Sequence, residues 1–325
     1  MMRIPKILIL LSLPAFLYAA EPEESDREDK QLKVGNFLLP TSQQPSPLLS
    51  LGQNIVGKGD TMLFVGVNPL CGPKIYTISL VPYFLYGITD KCSVVVGLPF
   101  SFLKNNKSKS AGLADIYAQI EYAYYEYTQP TYTYQATCLA ALLLPTGSTR
   151  SSTTKSAAPA APAAAATFTA APIGVGAAIA ASIPALGTGA TGFLFGGTVS
   201  YYSIDWLWFV SAGGTIATKG RTLRAGSNFL YQGGFGKNIT THNGWIFTWI
   251  IELNGAYTTR QQVCCVTQRN SGGNVLYLTP SLWASSERFI AQAGVTLLPA
   301  QHLFGGCQTK YEIGGMISLE WKFNT

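Results

Sequence analysis

The sequence predicts an all-β chain: a transmembrane antiparallel β-barrel of about 12 strands. Three observations carry this. Long segments alternate apolar and polar side chains. The chain is 47% hydrophobic but only 12% charged, where soluble domains average about 25%. Past the N-terminus there is no run of about 20 apolar residues that could cross a bilayer as a helix.

The N-terminus comes first. Met1 to Lys6 carries Arg3 and Lys6, Ile7 to Leu17 is apolar, and Tyr18-Ala19-Ala20 ends in small residues. This is the layout of a cleavable secretory signal over residues 1–20. Residues 21–30 hold six acids. Such a stretch buries too little to order itself, so residues 21–58 are expected to form a solvated, disordered periplasmic tail. The barrel should occupy residues 59–325.

The last segment sets the strand pattern. In K-Y-E-I-G-G-M-I-S-L-E-W-K-F (310–323) every second residue from Tyr311 is apolar or Gly, and Lys310, Glu312, Ser318, Glu320 and Lys322 fall between them. The alternation recurs in 112–127, 224–235, 244–255 and 289–297. Strand side chains point to opposite faces in turn, so each segment has one apolar and one wet face. Many of the candidates exceed the five or six residues usual in globular strands and reach the 9–11 or so that a tilted span needs. Trp and Tyr gather near the ends of the apolar faces, as in interfacial girdles.

Twelve strands follow: 61–68, 74–87, 91–102, 112–127, 131–145, 190–202, 204–217, 224–237, 244–256, 274–285, 288–298 and 308–323. An even number places both termini at one end. The turns at that end are short, and the loops at the other, including 146–189, are mostly longer. That asymmetry is the one expected of bacterial outer-membrane barrels with periplasmic turns. The Ala/Pro-rich loop 146–189 contains Pro159, Pro162, Pro172 and Pro184, which break any long helix.

Three stretches go further. P-Y-F-L-Y-G-I-T-D-K-C-S-V-V-V-G-L-P-F (82–100) reads as strand, Gly-Ile-Thr-Asp turn and strand. G-L-A-D-I-Y-A-Q-I-E-Y (112–122) opens a strand with Gly-x-x-Asp-Ile, and L-L-L-P-T-G (142–147) ends one in Pro-Thr-Gly. In this order, over about residues 82–147, they resemble the outer-membrane β-barrel family named for the meta-pathway of phenol degradation. Ala114 stands where that family usually has a second Gly. The resemblance implies a barrel that passes small, often aromatic or apolar, molecules. The terminal strand also looks like the signal that the outer-membrane assembly machinery reads, although Phe323 is third from the end.

Charged residues facing hydrocarbon cost about 2–4 kcal/mol each at the midplane, so the polar parity must face the lumen. The lumen-lining candidates are Asp115, Gln119, Glu121, Gln232, Glu252, Asn254, Lys310, Glu312, Glu320 and Lys322. They either line a passage or fill a narrow barrel with a polar network. Asp90 is read as turn chemistry. The outer loops carry Lys and Arg without Asp or Glu, which suits anionic lipopolysaccharide or, at a pore mouth, anions. Cys71, Cys264, Cys265 and Cys307 fall in those loops and could form disulfides. Cys92 and Cys138 fall on the lipid parity. His242 and His302 lie in a turn and a loop, apart from any nucleophile motif, so neither an enzyme nor a cofactor or metal site is indicated. Dispersed positive charge argues against nucleic acid. The functional expectation is diffusion of small solutes, aromatic or anionic ones among them, through the lumen, or, alternatively, a plugged structural or surface-binding barrel without transport.

Overall fold

The computed structural model describes residues 33–73, 75–105, 109–147, 190–218, 223–263, 266–305, 308 and 310–323. The signal segment, the acidic stretch 21–32, loop residues 148–189 and Cys264, Cys265 and Cys307 lie outside them.

Seventeen strands occur among the described residues: β1 (Thr61–Gly72), β2 (Ile75–Thr89), β3 (Cys92–Gly97), β4 (Phe100–Asn105), β5 (Lys109–Leu113), β6 (Ile116–Gln129), β7 (Tyr132–Leu144), β8 (Gly192–Ser203), β9 (Trp206–Ala217), β10 (Leu223–Arg224), β11 (Asn228–His242), β12 (Trp245–Thr258), β13 (Gln262–Val263), β14 (Val266–Thr267), β15 (Gly273–Ser285), β16 (Phe289–Leu303) and β17 (Ile313–Phe323). Each pairs antiparallel with its neighbours, and β1 pairs with both β17 and β2, so the sheet closes on itself. Both β3 and β4 pair with β2, and they are two halves of one stave broken at Leu98-Pro99. In the same way β5 and β6 are halves broken at Ala114-Asp115. The ring therefore has the expected twelve staves, while β10, β13 and β14 form a small separate sheet.

Prolines explain where sequence boundaries and strands part. The strand read as 288–298 runs further: β16 continues through Pro299 to Leu303, with an irregularity opposite Tyr277. A proline lacks the N–H that the ladder needs, so the ladder bulges there and resumes. At the other extreme, β17 begins at Ile313 rather than 308.

The barrel is apolar outside and polar inside. Val210, Ile317 and Leu319 are 59%, 56% and 46% exposed, whereas Thr248, Thr279 and Glu252 are fully buried. The turn end of the barrel carries an outer aromatic belt: Tyr132, Tyr134, Tyr201 and Trp208 pack in succession, and Trp245, Phe289 and Trp321 make a second group. Closure leaves no unpaired edge in hydrocarbon.

The stretch from residue 33 to Asp60 corrects the sequence reading. It is not a solvated tail. It lies inside the barrel, with Asn36, Gln43, Leu49, Ser50 and Leu51 fully buried. A twelve-strand barrel is wider than the eight-strand case that side chains nearly fill, so space remains. Residues 40–56 suit that space. They hold no charge and combine Leu48, Leu49, Leu51, Ile55 and Val56 with hydroxyl and amide side chains. The acids that argued for solvation all lie before residue 30.

Candidate functional site: the lumen and its inner segment

The inner segment starts and finishes at the turn end. At its start the Asn36 N–H donates to the Ile204 carbonyl, 2.8 Å, and Asn238 Nδ2 donates to Asn36 Oδ1, 3.4 Å. It then crosses to β15, where the Ser285 hydroxyl donates to the Gln43 carbonyl, 2.8 Å. It climbs to mid-depth at Leu48, crosses to β6 and descends past β3 and β2. There the Val56 N–H donates to Ser93 Oγ, 3.0 Å, and Gly87 N–H to the Asp60 carbonyl, 3.0 Å. Thr61 then begins β1.

Two glutamates hold the mid-depth crossing. On β12, Glu252 Oε2 accepts the N–H groups of Leu49 and Ser50, each at 3.0 Å, and the Ser50 hydroxyl at 2.9 Å. Its Oε1 accepts the Leu48 N–H. Asn254, two residues along the same inner face, lies 2.8 Å from that hydroxyl. On β6, Glu121 accepts the N–H of Gln53 at 2.7 Å, and Asn54 through N–H at 3.3 Å and Nδ2 at 3.0 Å. Successive N–H groups aimed at one anion form a nest. Here the wall supplies the anion and the segment supplies the nest. Between the glutamates, Leu51 donates its N–H to Gln232 Oε1, 2.7 Å, and its carbonyl accepts Thr198 Oγ1 and Ser211 Oγ at 2.6 and 3.1 Å.

Missing side chains in the wall make room for the segment. A Cβ at Gly213 would stand 2.6 Å from Leu51 Cδ1 and 2.8 Å from the Phe195 carbonyl oxygen, and one at Gly294 would stand 2.7 Å from Leu48 Cδ2. Gly196 and Gly213 pair across β8 and β9 to form the slot that takes Leu51. Gly213→Val should therefore lift Leu51 from its slot, at a cost of about 1–3 kcal/mol. The expected readout is faster chymotrypsin cleavage at Leu48–Leu51, with the heat-modifiable barrel band retained.

The return to β1 is fastened separately. Lys322 Nζ lies 2.6 Å from Asp60 Oδ2 and 3.3 Å from Ser42 Oγ. Asp90, expected to serve its own turn, instead accepts the Lys58 N–H, 2.8 Å. A cavity of about 30 Å³ remains beside the segment, bordered by Ser42, Gln53, Trp283 and Glu320 among others. It has room for a water or two.

The three family-like stretches meet at the breaks in the wall. The Pro99 carbonyl accepts the Ala114 N–H, 2.8 Å. Asp115 Oδ1 accepts the Gly147 N–H, 3.0 Å, and Thr146 Oγ1 accepts the Ile116 N–H, 2.9 Å. The Asp of the strand opening and the Thr-Gly of the strand end thus replace ladder bonds that the break removes.

Of the lumen candidates, Asp115, Gln119, Glu121, Gln232, Glu252, Asn254 and Glu320 are buried, and Lys322 nearly so. Gln119 finds no partner for its amide among the described residues. Lys310 and Glu312 depart from the expectation. Both are exposed and precede β17. Tyr311 between them turns inward, and its backbone bonds to the Gln301 side chain through both N–H and carbonyl, at 3.1 and 2.6 Å. Cys71 lies on β1, not in a loop, and forms no disulfide among the described residues; the other three disulfide candidates lie outside them. Cys138 is exposed on the outer face as expected. His242 ends β11 at the turn end and His302 lies near the loop end of β16. Among the described residues no His/Cys/Asp/Glu group could hold a metal. The sequence reading missed the segment itself and its partners Thr198, Ser211 and Gly213. The wall glycines, paired across neighbouring strands, were the available signal.

No family model and no curated protein matches the chain. Solved structures do. An outer-membrane channel from Pseudomonas putida F1 is similar with a TM-score of 0.60 at 11% identity, covering 86% of this chain and 99% of that one. The NanC porin is similar with a TM-score of 0.44 at 10% identity, covering 80% and 100%. LpxR from Salmonella typhimurium is similar with a TM-score of 0.44 at 7% identity, covering 80% and 99%. At such identities the likeness is one of fold. By that fold and by its apolar exterior, the chain is a twelve-strand barrel of the bacterial outer membrane.

Proposed function

We propose that the chain is an outer-membrane channel for small molecules, closed by its own inner segment and opened when that segment undocks toward the turn end. One observation carries this reading. Between Gln43 and Val56 the hydrogen bonds that fasten the segment to the wall run through wall side chains: Ser285, Gln292, Glu252, Gln232, Thr198, Ser211, Glu121 and Ser93. The segment adds no strand to the barrel, and the twelve staves pair with one another without it. Because both its ends lie at the turn end, it can withdraw without threading the barrel. The similarity to the Pseudomonas channel supports a barrel that conducts, and the phenol-pathway resemblance points to small aromatic or apolar solutes as first candidates.

In this reading the turn end faces the periplasm and the loop end faces out. Lys104, Arg224, Arg260, Arg269 and Lys310 are exposed toward the loop end, against Glu312 as the exposed acid there. Arg260 sits over the Phe304 ring at 5.2 Å, and Phe304 packs on Tyr257 of the outer face. A cation just above an apolar belt suits lipopolysaccharide phosphates. The assembly machinery is the second expected partner, through β17.

The packed lumen equally describes the alternative, a permanently plugged structural barrel. Planar-bilayer recording separates them. Joining Lys33 directly to Gly59 should convert a mostly closed protein into one with a steady open level. Openings of the full chain favour the channel; a full chain that forms a heat-modifiable barrel and never opens, while the deletion variant conducts, would favour the plugged reading.

A further inference from the structure

We infer that the opened lumen selects cations, with Glu121 and Glu252 as its selectivity residues. The inference rests on the channel reading above and adds a solute class to it.

The inward charges are few and one-sided. Among the described strand residues, the charged side chains that point inward are Glu121, Glu252, Glu320 and Lys322. The other charged strand residues with described side chains stand outside this set: Lys104, Glu126, Arg224 and Lys237 are exposed, and Lys237 sits over Trp206 at 4.6 Å. Lys322 is already matched by Asp60, which the barrel keeps when residues 34–58 leave. Neither Glu121 nor Glu252 has a Lys, Arg or His within salt-bridge distance among the described residues. In the closed state their counter-groups are the N–H dipoles of Leu48, Leu49, Ser50, Gln53 and Asn54. Withdrawal of the segment takes those dipoles away and leaves two carboxylates at mid-depth.

Their placement matters as much as their sign. β6 and β12 are five staves apart in a ring of twelve, so the two carboxylates look at each other across the bore. Facing acids in a low-dielectric wall are the arrangement by which cation pores select. The basic residues of the loop end pull the other way, but they are exposed to solvent. Salt screens such charges beyond about 10 Å at 0.1 M, whereas charges inside the bore are screened much less. The constriction, not the mouth, should decide.

The test is the reversal potential across a KCl gradient, measured on openings of the full chain and on the variant joining Lys33 to Gly59. Both should favour potassium over chloride about tenfold, the low end of the enrichment that a charged cleft produces. E121Q/E252Q in the deletion background should lower the ratio several-fold at unchanged conductance state, leaving the smaller preference set by Glu320. Should the deletion variant fail to assemble, Gly213→Val supplies an unseated segment with both carboxylates present. Current without selectivity, or with chloride preferred, overturns this inference and leaves the channel intact. Absence of current from correctly assembled barrels overturns the channel reading itself, and this inference with it.

Discussion

Glu252→Ala should unseat the inner segment while leaving the barrel assembled. The substitution removes the acceptor for three consecutive backbone N–H groups and contributes nothing in its place. Each buried donor left without an acceptor costs about 1–3 kcal/mol. Water reaching the emptied space recovers part of that, so a loss of about 3 kcal/mol in docking is expected, more than a hundredfold in the docked-to-undocked ratio. Glu252→Gln keeps one acceptor oxygen but turns an NH₂ toward the same donors, so it should fall between wild type and Ala. The readout is optical. Trp283 is 2% exposed and borders the inner cavity, whereas Trp206, Trp208 and Trp321 are 39%, 37% and 49% exposed on the outer face. Iodide quenching of tryptophan emission in detergent should rise in Glu252→Ala, and the rise should vanish when Trp283 is replaced by Phe. Unchanged quenching and unchanged chymotrypsin cleavage at Leu48–Leu51 would mean that Glu252 does not hold the segment.

Val210→Arg should impair assembly through the opposite face. Val210 is 59% exposed in the middle of β9, paired with Val199 and Gly233. If lipid covers that face, an arginine there costs about 2–4 kcal/mol at the midplane. Unfolding by urea in lipid vesicles should report that loss, and Val210→Ala should lose far less. The neighbouring Ser211 faces inward and bonds Leu51, so its replacement by Ala should weaken segment docking and leave barrel stability nearly unchanged. A neutral Val210→Arg would be incompatible with a hydrocarbon exterior.

The contrast between these two positions explains what the sequence could and could not reveal. Alternation is imposed by the wall's two environments, so the twelve staves and the inward parity of Glu121, Glu252 and Glu320 were legible from spacing. The inner segment obeys no period. It forms no strand, its bonds between Gln43 and Val56 go to side chains on eight different staves, and its own residues resemble a linker rich in Pro, Ser and Gln. Its acidic neighbour completed the disguise. Alternation also ran past its cause at Lys310 and Glu312: the apolar-polar rhythm continues there, but β17 begins only at Ile313, and Tyr311 bonds the Gln301 side chain. The boundary set at residue 298 erred in the other direction, because the ladder bulges around the absent donor of Pro299 and continues to Leu303. The motif stretches were recognised as landmarks, yet nothing in their spacing disclosed that Asp115 and Gly147 are bonded partners.

The peptide bond between Asp60 and Thr61 ties the inner segment to the barrel that it fills. A tethered group returns to its site at an effective concentration in the millimolar range, set by the length of the tether. Re-closure is then a first-order event within one molecule. Open and shut lifetimes should not change with the number of channels in the membrane, and no diffusible blocker has to be supplied, diluted or washed away for the conductance to recover.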